Sequence, residues 1–191
     1  MKHNLTRVVL ATLLVLLAAP RGAAAQAAAE IVDRDEQVVR AWLQQWNGLG
    51  SDNASAVDDL LTLYAPDALH ITGPSPDQRG TATYRGHDGI RVLASRVAAR
   101  QQRLTYRIET DTAHEQTVEL MHVAAGPWKG SSVAIQIVAV YTDREGGRRW
   151  MVPAAAFFQL SGGKIRRARI YYAEAEKAEI EPEPRRRPPG D

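Results

Sequence analysis

The chain has 191 residues, 45% hydrophobic and 24% charged, which excludes a disordered chain and leaves room for one domain with extensions. It has no cysteine, so disulfides, thiolate metal sites and a cysteine nucleophile are excluded. The formal net charge of +2 is no sign of a nucleic-acid partner, because part of the basic excess sits at the amino end.

Residues 1–25 read as a cleavable export signal. Lys2, His3 and Arg7 precede an apolar run from Val8 to Ala19, and Ala23-Ala24-Ala25 offers a small-residue cleavage site before Gln26. A cut after Ala29 fits the same pattern. The apolar run is too short for a span, which needs about 20 residues. Removing Lys2, Arg7 and Arg21 leaves 21 basic against 22 acidic residues. The expected product is exported, periplasmic or secreted, with neither membrane nor nucleic acid as partner.

Val38, Val39, Trp42, Leu43 and Trp46 recur at three- and four-residue spacings and predict a helix from about Ile31 to Trp46, stopped by Asn47-Gly48. A second helix is expected over 54–63, with Asn53 as N-cap; Asn53-Ala54-Ser55 is also formally a glycosylation sequon. A short strand at 68–72 ends at Gly73-Pro74 and a Pro/Asp/Gly-rich loop. Ile90, Leu93, Ala94 and Val97 mark a third helix over 88–99. Strands are then predicted at 104–110, 117–124, 133–142, 149–160 and 164–172, with hairpin turns at Glu145-Gly146-Gly147 and Ser161-Gly162-Gly163. Residues 174–191, alternating Glu with Ala and then rich in Pro and Arg, read as a solvated tail. The folded domain is thus about 30–173. Helices followed by an antiparallel run of strands predict α+β, with the helices on one face of the sheet. The strand at 133–142 is apolar on both faces, so its second face needs a pocket or a partner subunit.

Three strings carry a resemblance. Leu63-Tyr64-Ala65-Pro66-Asp67-Ala68, Tyr84-Arg85-Gly86-His87-Asp88-Gly89-Ile90 and Phe158-Gln159-Leu160-Ser161-Gly162-Gly163-Lys164-Ile165 stand in the order found in the SnoaL-like (nuclear transport factor 2-like) superfamily, which residues 30–172 resemble. The resemblance implies a cystatin-like cone: a strongly curved antiparallel sheet of about six strands wrapped by three helices, with an apolar pocket and a homodimer across the sheet. It also implies where catalytic groups would fall. The base aspartate of the ketosteroid isomerases falls at Thr72, their hole tyrosine at Trp42 and its partner acid at Ala156. The polyketide cyclase aspartate falls at Ile170 and its neighbouring histidine at Ala168. The last two strands offer no carboxylate for an epoxide hydrolase.

If Thr72 faces inward, period two turns His70 inward too, along with Val152, Ala154, Ala156, Phe158, Ala168, Ile170 and Tyr172, with Trp42 and Trp46 closing the helix side. His70 is the candidate catalytic acid/base, with Tyr84 as its partner by resemblance to the superfamily's dehydratases; the alternative is a histidine satisfied in the pocket wall. Tyr84 also reads as a lid or surface residue of the Pro/Gly-rich loop. His122 has no assignable face. Asp67 reads as a turn cap, Arg91 as a surface ion-pair partner, Trp128 and Trp150 as core or dimer-face residues, and Arg166 as a cation that reaches the cone mouth. Arg167 and Arg169 are expected outward. No metal-ligand cluster or cofactor motif is present. Three functions fit: binding a small apolar or aromatic molecule, an isomerase, cyclase or dehydratase using His70, or assembly without a ligand.

Overall fold

The structure, a computed structural model, describes residues 20–49, 55–73, 80–108, 110–111, 116–117, 121–123 and 130–181. It divides into two compact units, residues 1–34 and 35–191. Helix α1 spans Pro20–Gly48, longer at its start than the apolar stripe predicts. Pro20 opens it, where the missing N–H has no helical partner to lose. In the second unit Val39, Trp42, Leu43 and Trp46 are buried on one face of this helix, as their spacing requires.

Helix α2 is Ala56–Thr62, shorter than expected. Its N-cap is Ser55, whose Oγ donates to Asp59 Oδ2 at 2.8 Å, while Asn53 lies outside the described residues. Strand β1 runs Tyr64–Gly73 and β2 Ala82–Arg85. Gly86, at φ 64°, then turns the chain into α3, Gly86–Arg100; a Cβ there would press on the Pro66 carbonyl at 3.1 Å. Strands β3 (Gln101–Ile108), β4 (Thr110–Asp111), β5 (Gln116–Thr117) and β6 (Met121–Val123) follow. Of the strand expected at 117–124, Thr117 and Met121–Val123 are in strands, while 118–120 and 124, like Trp128, lie outside the described residues. Strands β7 (Ser131–Asp143), β8 (Arg149–Ser161) and β9 (Lys164–Tyr172) form the long meander predicted from their β-branched content. Gly162 and Gly163, at φ 60° and 72°, supply the two left-handed positions of the tight β8–β9 hairpin.

The main sheet runs β2-β1-β9-β8-β7-β3, with β6 also on β7. It is open, curved and mostly antiparallel, with three helices before the meander: an α+β cone. One pair departs from the antiparallel expectation. Strand β1 lies parallel to β9, with Tyr64 opposite Ile165 and Thr72 opposite Ile170. A bulge between Tyr64 and Leu69 accommodates Pro66, which has no N–H to give a ladder.

The carboxyl-terminal segment also departs from the solvated tail expected. Glu174–Glu176 form a 3-10 turn, and β10 (Ala178–Ile180) pairs antiparallel with β8 at Arg149 to Met151. Its Ala178 and Ile180 are half-buried and Glu179 between them is exposed, the alternation of a strand with one covered face. Residues 182–191 lie outside the described residues. Among the described residues, no helix is long and apolar enough to cross a membrane.

Candidate functional site

The inner end of the site grows from α1 and β1. Trp42 and Trp46, one helical turn apart, present their indoles to β1 with ring centroids 5.7 Å apart. Trp42 Nε1 donates to Tyr64 Oη at 2.6 Å, and Tyr64 Oη lies 2.9 Å from His70 Nδ1. An indole nitrogen can only donate, so the Tyr64 oxygen accepts from Trp42. The direction of the Tyr64–His70 bond depends on the His70 tautomer: with the phenol as donor, the His70 proton is on Nε2.

That assignment agrees with the electrostatics. His70 is 2% exposed, and burial pulls its pKa down to about 3, so the ring is neutral at physiological pH. Burial also raises the Tyr64 phenol, partly offset by the Trp42 N–H, so the hydroxyl keeps its hydrogen. Among the described residues, the Tyr64 contact is the hydrogen bond His70 makes. The residue lines the wall of a cavity of about 80 Å³.

A second hydroxyl pair faces the same cavity. Tyr106 and Tyr172 share a 2.5 Å hydrogen bond, and burial holds both phenols protonated, Tyr172 at about 12. Asn47 places Tyr106: its Oδ1 accepts from the Tyr106 backbone N–H at 2.6 Å and its Nδ2 donates to the Tyr106 carbonyl at 3.3 Å. The residues that stop α1 thus also fix β3.

The structure brings together Trp42, Trp46, His70, Thr72, Tyr84, Val152, Ile170 and Tyr172 on the cavity wall. Ala154, Ala156, Phe158 and Ala168 share the inward parity but are core residues outside that wall; Phe158 packs edge-on against Trp42 at 5.0 Å. The sheet is filled at that end by helix side chains, which strand parity does not reveal. Tyr84 is in β2 directly opposite His70, not in a loop, yet the hydroxyl bonded to His70 belongs to Tyr64. Tyr64 lies across the bulge from His70, with Pro66 exposed between them, so strand alternation does not reach it. Arg166 does not reach the mouth: it pairs with Asp67 at 3.3 Å, both exposed. Arg91 pairs with Asp58 at 2.7 Å, as expected. His122 is opposite Val133 in the ladder. Trp150 is half-buried and packs against the core, with the side chains of Arg148 and Lys177 over its ring.

Sequence reasoning missed the outer rim: Arg96 and Arg100 from α3, Gln101, Tyr141, and Glu174 from the segment read as tail. Glu174 Oε1 is buried without a hydrogen-bond partner, and burial raises this carboxyl above its ordinary value, with Lys177 opposing the rise. Among the described residues, no cluster of three His, Cys, Asp or Glu side chains could hold a metal ion.

The profile of the SnoaL-like domain matches residues 39–168. No curated protein matches the chain. Among solved structures, a Catenulispora acidiphila protein with a ketosteroid isomerase-like fold, crystallised with trimethylamine, is similar at 22% identity and TM-score 0.51, covering 71% of this chain and 84% of its own. An LEH-like epoxide hydrolase from M. tuberculosis is similar at 16% identity and TM-score 0.51, covering 75% and 86%. A phenazine biosynthesis-related protein from Pseudomonas aeruginosa is similar at 11% identity and TM-score 0.54, covering 79% and 86%. At these identities the likeness is one of fold.

Proposed function

The chain belongs to the SnoaL-like domain family, a fold that does not by itself fix an activity, and on that premise we propose that it binds a small, largely apolar molecule bearing a hydrogen-bond acceptor. The observation that carries this reading is an inner wall of aromatic and aliphatic side chains in which Trp46 Nε1–H is buried without a hydrogen-bond partner, beside the Trp42–Tyr64–His70 chain, whose Nε2–H tautomer would supply a second donor. A carbonyl or ether oxygen satisfies such a donor. The absence of acid/base side chains at Thr72, Trp42, Ala156, Ala168 and Ile170 fits binding better than the usual superfamily chemistries. Native mass spectrometry of the chain recovered without denaturation should show extra mass. Titration with cyclohexanone carrying a 13C carbonyl should shift that carbon downfield, and His70→Phe should abolish the shift. A carbonyl resonance unchanged at saturation would sink the assignment of His70 as donor.

A second reading is catalytic, and the unpartnered oxygen of Glu174 favours it. With a pKa near 3, His70 is no general base at neutral pH, but a neutral imidazole can polarise a carbonyl. Glu174 would then be the proton-transferring group. Glu174→Gln should abolish turnover of an isomerisable ketone while leaving its affinity; equal loss of both marks a binding contact.

Export and a homodimer complete the proposal. The outward face of β8 and β9 shows Phe157, 46% exposed, stacked edge-on with Tyr171, 42% exposed, at 6.1 Å. Such an apolar pair on an open sheet fits the second subunit that the doubly apolar β7 requires. Amino-terminal sequencing of the extracytoplasmic fraction tests the cut before Gln26, and a start at Met1 would refute it.

A further inference from the structure

The inner cavity does not end at its rim. Arg100, Gln101 and Tyr141 line both that cavity and a more open cleft of about 520 Å³ beside it. The cleft is walled by four cations, Arg100, Arg144, Arg148 and Lys177, against two carboxylates, Asp143 and Glu145. Asp143 is engaged inside its own turn, where its oxygens accept from the backbone N–H groups of Glu145 and Gly146 at 3.1 and 3.2 Å. Glu145 is exposed.

Two of the cations are held in place by aromatic faces. Lys177 Nζ sits 4.4 Å from the Trp150 ring centroid and 5.7 Å from that of Tyr141, and Arg148 Cζ sits 5.0 Å from Trp150. The pairing of β10 with β8 at Trp150 carries Lys177 to that position. Among the described residues, neither Arg148 nor Lys177 forms an ion pair with a carboxylate; Glu174 attracts Lys177 without pairing. Two anchored cations without an ion-pair partner among the described residues, at the mouth of the cavity, form the outer half of an amphiphile site.

We propose that the ligand of this cavity is a small organic acid, its apolar body inside against Trp42 and Trp46 and its anionic group outside between Arg148 and Lys177. The inference rests on the small-molecule reading above and adds the charge and direction of the ligand. It assigns Arg148 and Lys177 as specificity residues, with no part in the inner wall.

Calorimetric titration of the full chain with 3-methylbutanoate, its amide and 3-methylbutylamine, whose branched alkyl group suits a cavity of about 80 Å³, separates the cases. The acid should bind about tenfold tighter than the amide at low salt, as expected of anchored charge pairs, and added salt should erode the difference. In the Arg148→Gln/Lys177→Gln double variant, the acid should fall to the affinity of the amide, while the amide itself is unaffected, which also reports an intact inner cavity. Equal binding of acid and amide by the unmodified chain overturns the proposal and leaves the small-molecule reading standing. Tightest binding by the amine overturns it in favour of Glu174 as the charge that selects. If none of the three binds, both readings fall together.

Discussion

His70 shows how far a residue's environment can move its chemistry. An imidazole read from sequence titrates near neutrality, but a ring buried against Trp42, Trp46 and Tyr64 has its pKa pulled down to about 3. The unfolded chain binds that proton below about pH 6.5 while the folded chain does not. Stability from this group is therefore complete above the unfolded value and is lost as pH falls toward the folded one, by about 5 kcal/mol at most. Urea unfolding followed from pH 7 to pH 4 should show this decline, and His70→Gln should flatten it. Tyr64→Phe removes the hydroxyl between two buried partners and should cost about 1–3 kcal/mol. In the 15N spectrum of the imidazole, the same change should replace a pure Nε2–H tautomer by a mixture. Sequence parity placed His70 and Thr72 correctly, because strand alternation is local. It could not supply the tautomer, which depends on Trp42 from another element.

At the scale of elements, the long strands and the three helices were legible because their periodicities are strong. Val152, Ala154, Ala156 and Phe158 all turn inward along β8, and Ala168 and Ile170 along β9. What alternation does not encode is depth: the same four residues of β8 divide between cavity wall and solid core according to which helix side chain lies above them. Strand β10 was illegible for a different reason. It is three residues long between charged and proline-rich neighbours, so composition points to solvent, while the structure pairs it with β8. Truncation after Tyr172 should expose Trp150 and Tyr141, shift tryptophan emission to the red and cost about 2 kcal/mol from lost burial. An unchanged spectrum and melting temperature would show that β10 contributes nothing to the outer cleft. Gly130→Ala should also be poorly tolerated, since its Cβ would lie 2.3 Å from the Leu160 carbonyl oxygen, where only backbone movement relieves the clash.

For the whole molecule, the sheet surface decides assembly. The doubly apolar pattern of β7 is legible in sequence as a demand for a second layer, and the exposed Phe157–Tyr171 pair beside Arg167 and Arg169 marks the place where the proposed subunit would sit. Sedimentation of the chain should give a dimer, and Phe157→Asp should give a monomer with an unchanged far-ultraviolet spectrum. A monomer from the unmodified chain would remove the dimer from the proposal without touching the cavity.

The parallel seam between β1 and β9 has a consequence in time. Strand β1 leaves the ribosome early, yet the neighbour that completes its ladder, from Ile165 to Tyr171, is nearly the last part of the fold to be made. Until then, β1 has only β2 beside it, and the cavity wall carried by Ile170 and Tyr172 does not exist. Closure must wait for a long loop to be drawn in, the kind of contact that slows folding most. A nascent chain arrested at Gly163 should therefore remain open to protease across β1, and the same chain released at full length should become protected in one late step.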